Sequence, residues 1–206
     1  MNPGRTADRG RLVVSMFSTL DGVMQGPGAP GEDPEGDFEH SGWQAPYADS
    51  GSGAIILESI LGMDALLIGR KTYDIWARHW PHASAGDVIG SHLNAIPRFV
   101  ASRSLTDPEW AGTTVLRDVP RDVAQLTRTF GETRVWGSGD LLTTLLEHDL
   151  VDQIDLWIYP TVLGSGKRVF RDGAVPASFD LAGDPRGFPG GSVLLTYRRT
   201  GLPPVR

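Results

Sequence analysis

The sequence predicts an α/β protein of three α/β/α layers, with a mostly parallel central sheet and antiparallel C-terminal strands. Strand-like runs alternate with helix-like segments through most of the chain, which is the pattern of βαβ units. Two of these runs pass through glycine turns into helix-like segments, at Gly69 and at residues 137–139. The last two strand-like segments, residues 178–181 and 192–199, have the spacing of an antiparallel pair at a sheet edge.

A chain of 206 residues is long enough for one substantial core and too short for two ordinary domains. We expect a single domain over residues 11–200, a flexible N-terminal tail over residues 1–10 and a C-terminal tail over residues 201–206. A hydrophobic content of 40% and a charged content of 21% are typical of a soluble globular protein.

Charge and residue usage exclude several classes of protein. A formal net charge of −6 argues against a nucleic-acid-binding protein, because such a protein presents a concentrated basic face. No apolar run approaches the ~18 residues that would suggest a membrane span. The chain has no cysteine, which excludes disulfides, thiol catalysis and thiolate metal sites. The first residues lack the apolar core of a signal peptide, so we expect a cytoplasmic protein.

The first strand is predicted at residues 11–17, RLVVSMF. Its centre is almost continuously apolar, as expected for a central strand that is buried on both faces. Asp21 and Gly22 then mark a turn. Asp21 is a candidate proton-relay group close to the carboxyl end of this strand, although an Asp-Gly pair is equally explained by ordinary turn chemistry.

Residues 26–53 are dense in glycine, proline and acidic residues. A loop of that length in a compact domain is usually a functional lid or disordered. Phe38, Trp43 and Tyr47 favour a flap packed over the substrate, with Asp49 at its end. The alternative is that the aromatic residues only pin the loop to the core.

The next segment, residues 54–61, is predicted to be a helix, with Ser52 as a possible N-cap. A helix is favoured here because parallel strands need a crossover connection. Glu58 lies on this helix, and taken alone it is explained as a solvated helix position.

A buried strand at residues 65–68 is followed by Gly69, Arg70, Lys71 and Thr72, where a helix begins. Cations at a helix N-terminus oppose the helix dipole, and an anionic ligand would remove this conflict. The sequence therefore indicates an anion site here, unless the two cations are simply solvated.

The following segments continue the alternation. We predict helices at residues 86–96 and 121–130 and strands at residues 98–101 and 113–116. The first of these strands ends at Ser102 and Arg103, so a third strand end carries a hydroxyl and a guanidinium. His79 and His82 lack a companion ligand motif, and we therefore expect no metal site.

The segment TRVWGSGDLLTTLLEHDL, residues 133–150, predicts a strand, a glycine turn and a helix that begins near Asp140. Two glycines let the backbone approach a ligand, and free N–H groups at a helix start favour a phosphate. This geometry would suit a pyrophosphate. Leu142 stands where a third glycine would complete G-x-G-x-x-G, so a tight strand-to-helix connection explains the pattern equally well.

The chain resembles the dihydrofolate reductase superfamily, and in particular the reductase domain of the bifunctional riboflavin-biosynthesis deaminase/reductase. The motifs that carry the resemblance, in chain order, are SMFSTLDG, LLIGRKTY, VASRS, VWGSGDLLTTLL and IYPTVLGSGKRVF. The fragment FEHSGWQAPYAD resembles small stand-alone members of that group. The resemblance covers residues 11–200 and implies a dihydrofolate reductase-like fold.

By resemblance the cofactor is NADPH. Its implied binding residues fall in four groups: Phe17 and Met24 against the nicotinamide; Gly69, Arg70, Lys71 and Thr72 at a phosphate segment; Ser102 and Arg103 at the adenosine 2′-phosphate; and Gly137, Ser138, Gly139, Asp140 and Leu141 at the pyrophosphate. A guanidinium is a planar fork of donors suited to phosphate, so arginines at two strand ends favour NADPH over NADH.

The resemblance implies a reductase that transfers hydride to a small planar heterocyclic, carbonyl or imine substrate. Dihydrofolate reductase itself has a carboxylate on its first helix that assists protonation, and the resemblance makes Glu58 a second candidate for proton relay. A phosphoribosylaminopyrimidine is the substrate if the activity is of the riboflavin type, and Trp43, Tyr47 and Asp49 belong to the flap that would cover it. The alternative is a non-catalytic nucleotide-binding sensor or a structural dimer on the same fold. We expect a small-molecule partner, no nucleic acid or membrane, and a homodimer.

Overall fold

The computed structural model describes residues 9–201, so predicted tail residues 1–8 and 202–206 lie outside the described part of the chain. Arg9 and Gly10, assigned to the tail by sequence, contact the domain. Arg9 Nη2 lies 2.7 Å from Asp152 Oδ1, and the N–H of Gly10 donates to the carbonyl of Thr127 at 2.7 Å.

Residues 9–201 form nine strands and five α-helices. In chain order these elements are β1 (Arg11–Thr19), α1 (Ser50–Leu61), β2 (Ala65–Gly69), α2 (Arg70–Trp76), α3 (Val88–Ala95), β3 (Arg98–Ala101), β4 (Thr113–Leu116), α4 (Val119–Thr129), β5 (Glu132–Trp136), α5 (Gly139–Glu147), β6 (Gln153–Tyr159), β7 (Ser178–Leu181), β8 (Arg186–Gly187) and β9 (Val193–Gly201). Two short 3₁₀ turns lie at Ala45–Tyr47 and Trp80–His82.

The strands form one sheet in the order β4-β3-β2-β5-β1-β6-β9-β7, with β8 paired to β9. All pairings from β4 to β6 are parallel, whereas β9 is antiparallel to β6, β7 and β8. The predicted fold class is confirmed, including the central position of β1 and the antiparallel C-terminal strands.

Helices cover both faces of the sheet because side chains alternate along each strand. On one face, Leu12, Val14 and Met16 of β1 belong to a buried cluster that includes side chains of α4 and α5. On the other face, Leu66 and Ile68 of β2 belong to a second cluster with side chains of α1, α2 and α3. The three-layer prediction is therefore confirmed.

The start of α1 differs from the prediction. Asp49, and not Ser52, is the N-cap: its Oδ1 accepts hydrogen bonds from the N–H groups of Gly51 and Ser52, at 2.9 and 3.0 Å. A carboxylate at this position satisfies two backbone donors that the first helical turn leaves unpaired. The helix consequently begins at Ser50, four residues before the predicted start.

A buried ionic network ties the central strands together. Arg134 on β5 lies 2.7 Å from Asp155 Oδ2 on β6 and 2.8 Å from Glu132 Oε1 on its own strand. It also donates to Ser15 Oγ on β1 at 2.7 Å, and its side chain is only 6% exposed. Because β1 lies between β5 and β6, the guanidinium connects three adjacent strands.

Candidate functional site

A cleft of about 1280 Å³ opens at the carboxyl ends of the parallel strands. Its lining includes residues at or near the ends of β1 to β5, namely Phe17, Gly69, Ala101, Leu116 and Trp136. In open α/β sheets ligands bind at this edge, so the fold itself indicates the cleft as the site.

Every residue assigned to the cofactor by resemblance lines this cleft. These residues are Phe17, Met24, Gly69, Arg70, Lys71, Thr72, Ser102, Arg103, Gly137, Ser138, Gly139, Asp140 and Leu141. They come from five separate segments of the chain, and the fold brings them to one place.

Ser138 joins two strand-to-helix turns of the cleft. Its hydroxyl accepts a hydrogen bond from the N–H of Gly69 at 2.9 Å and lies 2.8 Å from Thr72 Oγ1. Because the hydroxyl is used there, Ser138 occupies the N-cap of α5 without a side-chain capping bond. By contrast, aspartates cap α1, α3 and α4. The first-turn N–H groups of α5 are therefore available to an anion.

Different structural features explain why glycine occupies the two positions beside Ser138. Gly137 has a φ of 55°, which favours glycine, and a Cβ atom built there would meet nothing within 4 Å. The backbone of this turn is therefore open to a ligand. At Gly139 a Cβ atom would lie 2.8 Å from Met24 Sδ, so a larger residue there would displace the Met24 side chain.

Seven cations line the cleft, and protein groups already engage most of them. They are Arg70, Lys71, Arg103, Arg117, Lys167, Arg168 and Arg171. Arg70 pairs with Asp74 at 2.8 Å and Arg171 with Asp140 at 2.9 Å. Within residues 9–201 no hydrogen bond or ion pair holds Arg103, which is exposed. Arg103 is the cleft cation that is free to bind a ligand.

Two carboxylates, Asp74 and Glu35, form ion pairs with the two cations at the start of α2. Arg70 and Lys71 are partly exposed, and a carboxylate of the protein pairs with each. The anion site predicted from these cations thus has protein anions beside it. Thr72, the last residue of the predicted phosphate segment, lies 2.8 Å from the Ser138 hydroxyl.

An ionic latch holds the long loop between β1 and α1 across the cleft. We define it as Glu35 with Lys71 and Lys167, the two lysines of the sequence. Glu35 Oε2 lies 2.6 Å from Lys71 Nζ and 2.9 Å from Lys167 Nζ. The buried Gln25 amide supports the loop by donating to the carbonyls of Asp33 and Glu35. The loop is thus a cover over part of the cleft.

The latch predicts an unusual titration. Hydrogen bonds from Lys71 and then Lys167 lower the pKa of Glu35 to about 2. Because this pKa is depressed, the latch is complete above the ordinary glutamate range and is lost only as the pH falls through about 2. Carbon-13 NMR of the Glu35 carboxyl should show its midpoint there. Lys71→Met and Lys167→Met should each raise it, and an ordinary midpoint in the unmodified protein would contradict the latch.

The predicted flap residues anchor the loop and do not line the cleft. Trp43 is buried, its Nε1 donates to the carbonyl of Gln25 at 2.8 Å, and its ring packs on Tyr159. Tyr47 also packs on Tyr159, and Asp49 caps α1. The alternative interpretation, that the aromatic residues pin the loop to the core, describes their positions. The cleft is instead lined by other loop residues, among them Pro27, Glu35 and Gln44.

Neither candidate proton-relay carboxylate reaches the cleft. Asp21 Oδ1 accepts from the Thr19 hydroxyl at 2.6 Å, and its Oδ2 accepts from the N–H of Gly164 at 2.9 Å. The bond from Thr19 is the main reason that the pKa of Asp21 is lowered, which is unfavourable for a proton donor. Glu58 is exposed on α1, and neither residue is among those that line the cleft.

One side of the cleft is apolar, and sequence reasoning missed it. We call apolar wall the residues that line the cleft and also belong to the cluster packed under α1, α2 and α3: Phe17, Ile56, Ile60, Trp76, Trp80, Ile89, Leu93 and Trp136. The resemblance implies Phe17 at the nicotinamide, but the other wall residues were not assigned to the site from the sequence. Lys167, Arg168 and Arg171 were also missed, although two of them lie in a motif that carries the resemblance.

Neither a metal-binding cluster nor a membrane-spanning helix is found within residues 9–201. No group of three or more histidine, aspartate or glutamate side chains there is arranged to hold a metal ion. No helix in that range combines the length and apolar character needed to cross a membrane.

The fold and the cleft define an α/β domain of the dihydrofolate reductase-like class. Residues 11–184 match the family model described as the RibD C-terminal domain, and the chain belongs to this family. A curated relative from Bacillus subtilis (strain 168), the uncharacterized protein YyaP, is 25% identical over 196 residues, which are 93% of this chain and 96% of the relative. The resemblance seen in the sequence motifs is thus confirmed.

Solved structures confirm the fold. A candidate riboflavin biosynthesis protein from Shewanella sp. PV-4 is 20% identical with a TM-score of 0.65, and the match covers 92% of this chain and 99% of that one. A pyrimidine reductase-like protein from Corynebacterium diphtheriae is 11% identical with a TM-score of 0.59, over 93% and 92% of the two chains. A deaminase/reductase from Thermotoga maritima is 16% identical with a TM-score of 0.58, and the match covers 93% of this chain and 57% of that one.

Proposed function

We propose that this protein is an NADPH-dependent reductase that transfers hydride to a small planar C=N or C=O substrate. Membership of the RibD C-terminal domain family supports an oxidoreductase. One combination of features in the cleft carries the cofactor assignment. The start of α5 has no side-chain capping bond, and the guanidinium of Arg103 has no protein partner within residues 9–201. These are complementary to a pyrophosphate and to a separate phosphate, as in NADPH.

The residues present fit this cofactor. The open turn at Gly137 and the first-turn N–H groups of α5 would hold the pyrophosphate, and Arg103 with Ser102 would hold the 2′-phosphate. Phe17 and Met24 line the cleft where the resemblance implies the nicotinamide. NADH lacks the 2′-phosphate, so the same site would bind it less tightly.

When bound, the cofactor supplies a hydride to the substrate carbon, the substrate nitrogen or oxygen gains a proton, and NADP⁺ remains. The chain's task is to orient the reactants and to exclude water from the reacting carbon. The apolar wall performs the exclusion on one side, and the latched loop covers part of the cleft. Neither Asp21 nor Glu58 lines the cleft, so neither is positioned to supply that proton.

One observation favours the second candidate function, a non-catalytic nucleotide sensor. The two predicted proton-relay carboxylates lie outside the cleft, so a site that binds NADPH without reducing anything is consistent with the geometry. The two functions differ in one measurable property. A reductase consumes bound NADPH when a suitable acceptor is added, whereas a sensor leaves it reduced throughout an acceptor screen.

Tryptophan fluorescence provides the first test, because Trp76, Trp80 and Trp136 line the cleft. Titration should show micromolar binding of NADPH and much weaker binding of NADH. Absence of binding by either nucleotide would refute the proposed function. The homodimer expected from the resemblance is a separate proposal, and sedimentation velocity should show a species of twice the chain mass.

A further inference from the structure

We infer that the acceptor is an uncharged planar compound seated on the apolar wall, with a hydrogen-bond acceptor atom and no phosphate group. This inference rests on the proposed function, because it assigns the polar part of the cleft to NADPH. It narrows the substrate class and argues against a phosphoribosyl acceptor. Three observations support it: the apolar wall consists of aromatic and aliphatic side chains, it contains a hydrogen-bond donor without a partner, and most cations of the cleft already interact with protein groups.

The wall presents ring and branched aliphatic surfaces without any charged group. Its only polar side-chain atoms are the indole N–H groups of its tryptophans. Phe17 and Trp136 lie 5.7 Å apart between ring centroids, and Trp76 and Trp80 lie 5.9 Å apart. Such rings favour a flat partner through stacking and edge contacts, and burial of a phosphate against them would be costly.

Trp136 adds a specific polar requirement. This residue is 4% exposed, lines the cleft, and its Nε1 has no hydrogen-bond partner in the described part of the chain. A buried donor without a partner costs free energy, and native proteins contain few such groups. A carbonyl oxygen or a ring nitrogen of the acceptor would satisfy it once the indole turns its N–H toward the cleft, because the Nε1 atom itself is buried. The donor cannot pair with a cationic group, so a positively charged acceptor is disfavoured beside it.

A second phosphate in the cleft would have to compete with protein partners for the cations there. Arg103, the cation without a partner in residues 9–201, is needed by the 2′-phosphate of NADPH. Arg117 donates to the carbonyls of Ser102 and Leu105, and Arg168 donates to that of Asp21. The other cleft cations pair with carboxylates. None of the seven belongs to the apolar wall.

A matched pair of probes tests this inference: 1,4-naphthoquinone and 1,4-naphthoquinone-2-sulfonate share a ring system and differ by one sulfonate group, which carries a negative charge. Binding to the protein saturated with NADP⁺ is measured by calorimetry, so that no turnover occurs. The neutral quinone should bind at least about fivefold more tightly than the sulfonate. Ribose 5-phosphate should not displace it. With NADPH, hydride and one proton convert the quinone to its hydroquinone, leaving NADP⁺.

Two neighbouring positions on α3 provide variants that carry the same added charge. Ile89 belongs to the apolar wall, whereas Val88 is 57% exposed and does not line the cleft. Ile89→Arg should reverse the preference, weakening the neutral quinone and strengthening the sulfonate about fivefold. Val88→Arg should change neither affinity. A cooperative thermal denaturation of each variant establishes that it is folded. If Ile89→Arg does not fold, Ile56→Arg on α1 takes its place in the test.

The outcomes separate this inference from the proposed function. If NADPH binds but the sulfonate equals or exceeds the neutral quinone, or ribose 5-phosphate displaces the quinone, the inference is wrong and the reductase proposal stands. If the neutral quinone does not bind the complex of the protein with NADP⁺, the inference is likewise wrong and the reductase proposal stands. If neither NADPH nor NADP⁺ binds, the proposed function itself fails, and the inference that depends on it falls too.

Discussion

Arg103→Ala is expected to weaken NADPH binding by about 1.5–3 kcal/mol, which is roughly a 10- to 150-fold rise in Kd. Arg103 is exposed at the end of β3, lines the cleft and has no partner within residues 9–201 that competes for its guanidinium. Its charge-assisted hydrogen bonds would go to the 2′-phosphate alone. NADH has no such group, so its Kd should stay nearly unchanged.

Two further variants make this test specific. Arg78→Ala removes an exposed arginine that does not line the cleft, and it should leave both affinities unaltered. Arg103→Lys keeps the positive charge and loses the planar fork, so NADPH binding should fall between that of the original protein and that of Arg103→Ala. Equal losses for NADPH and NADH in Arg103→Ala would contradict the assignment of the 2′-phosphate to this residue.

Arg134→Leu is expected to lower the free energy of unfolding by about 3–5 kcal/mol. The guanidinium pairs with Glu132 and Asp155 and is 6% exposed, so its removal leaves Asp155 without a cation inside the sheet and Glu132 with only the exposed Arg11. An uncompensated buried charge costs more than the pair contributes when intact. Urea denaturation should show a lower midpoint with the same dependence on urea concentration.

Arg11→Leu is the matched control for that substitution. Arg11 also pairs with Glu132, at 2.8 Å, but its side chain is 54% exposed. Water screens such a pair, and its loss should change the free energy of unfolding by at most about 1 kcal/mol. A similar effect of both substitutions would show that burial does not decide the contribution of these ion pairs.

The cofactor side of the cleft was predictable because its signals are local. Gly69 and the turn at residues 137–139 follow strands directly, and Arg103 stands just beyond the end of β3. In a parallel sheet all such strand ends lie at the same edge, so residues distant in sequence are brought together by the fold class alone. The sequence motifs that carry the resemblance are located at these same positions.

The roles of individual side chains were less predictable, as Asp49 and Trp43 illustrate. Asp49 was assigned to the substrate flap, but its carboxylate caps α1. Trp43 was assigned there too, but its ring packs on Tyr159, which lies more than a hundred positions away in the chain. Sequence indicates that a loop is long and rich in aromatic residues, whereas the direction of each ring depends on distant partners.

By itself the sequence determined the α/β class, the central first strand, the antiparallel C-terminal strands and the strand ends that carry the candidate cofactor residues. These follow from hydrophobic periodicity and turn chemistry, which act over a few neighbouring residues. Only the tertiary structure decided that Glu35 joins Lys71 to Lys167, that Arg103 is left uncommitted, and that the apolar wall faces the cleft. Each of these depends on contacts between remote segments, which local patterns do not encode.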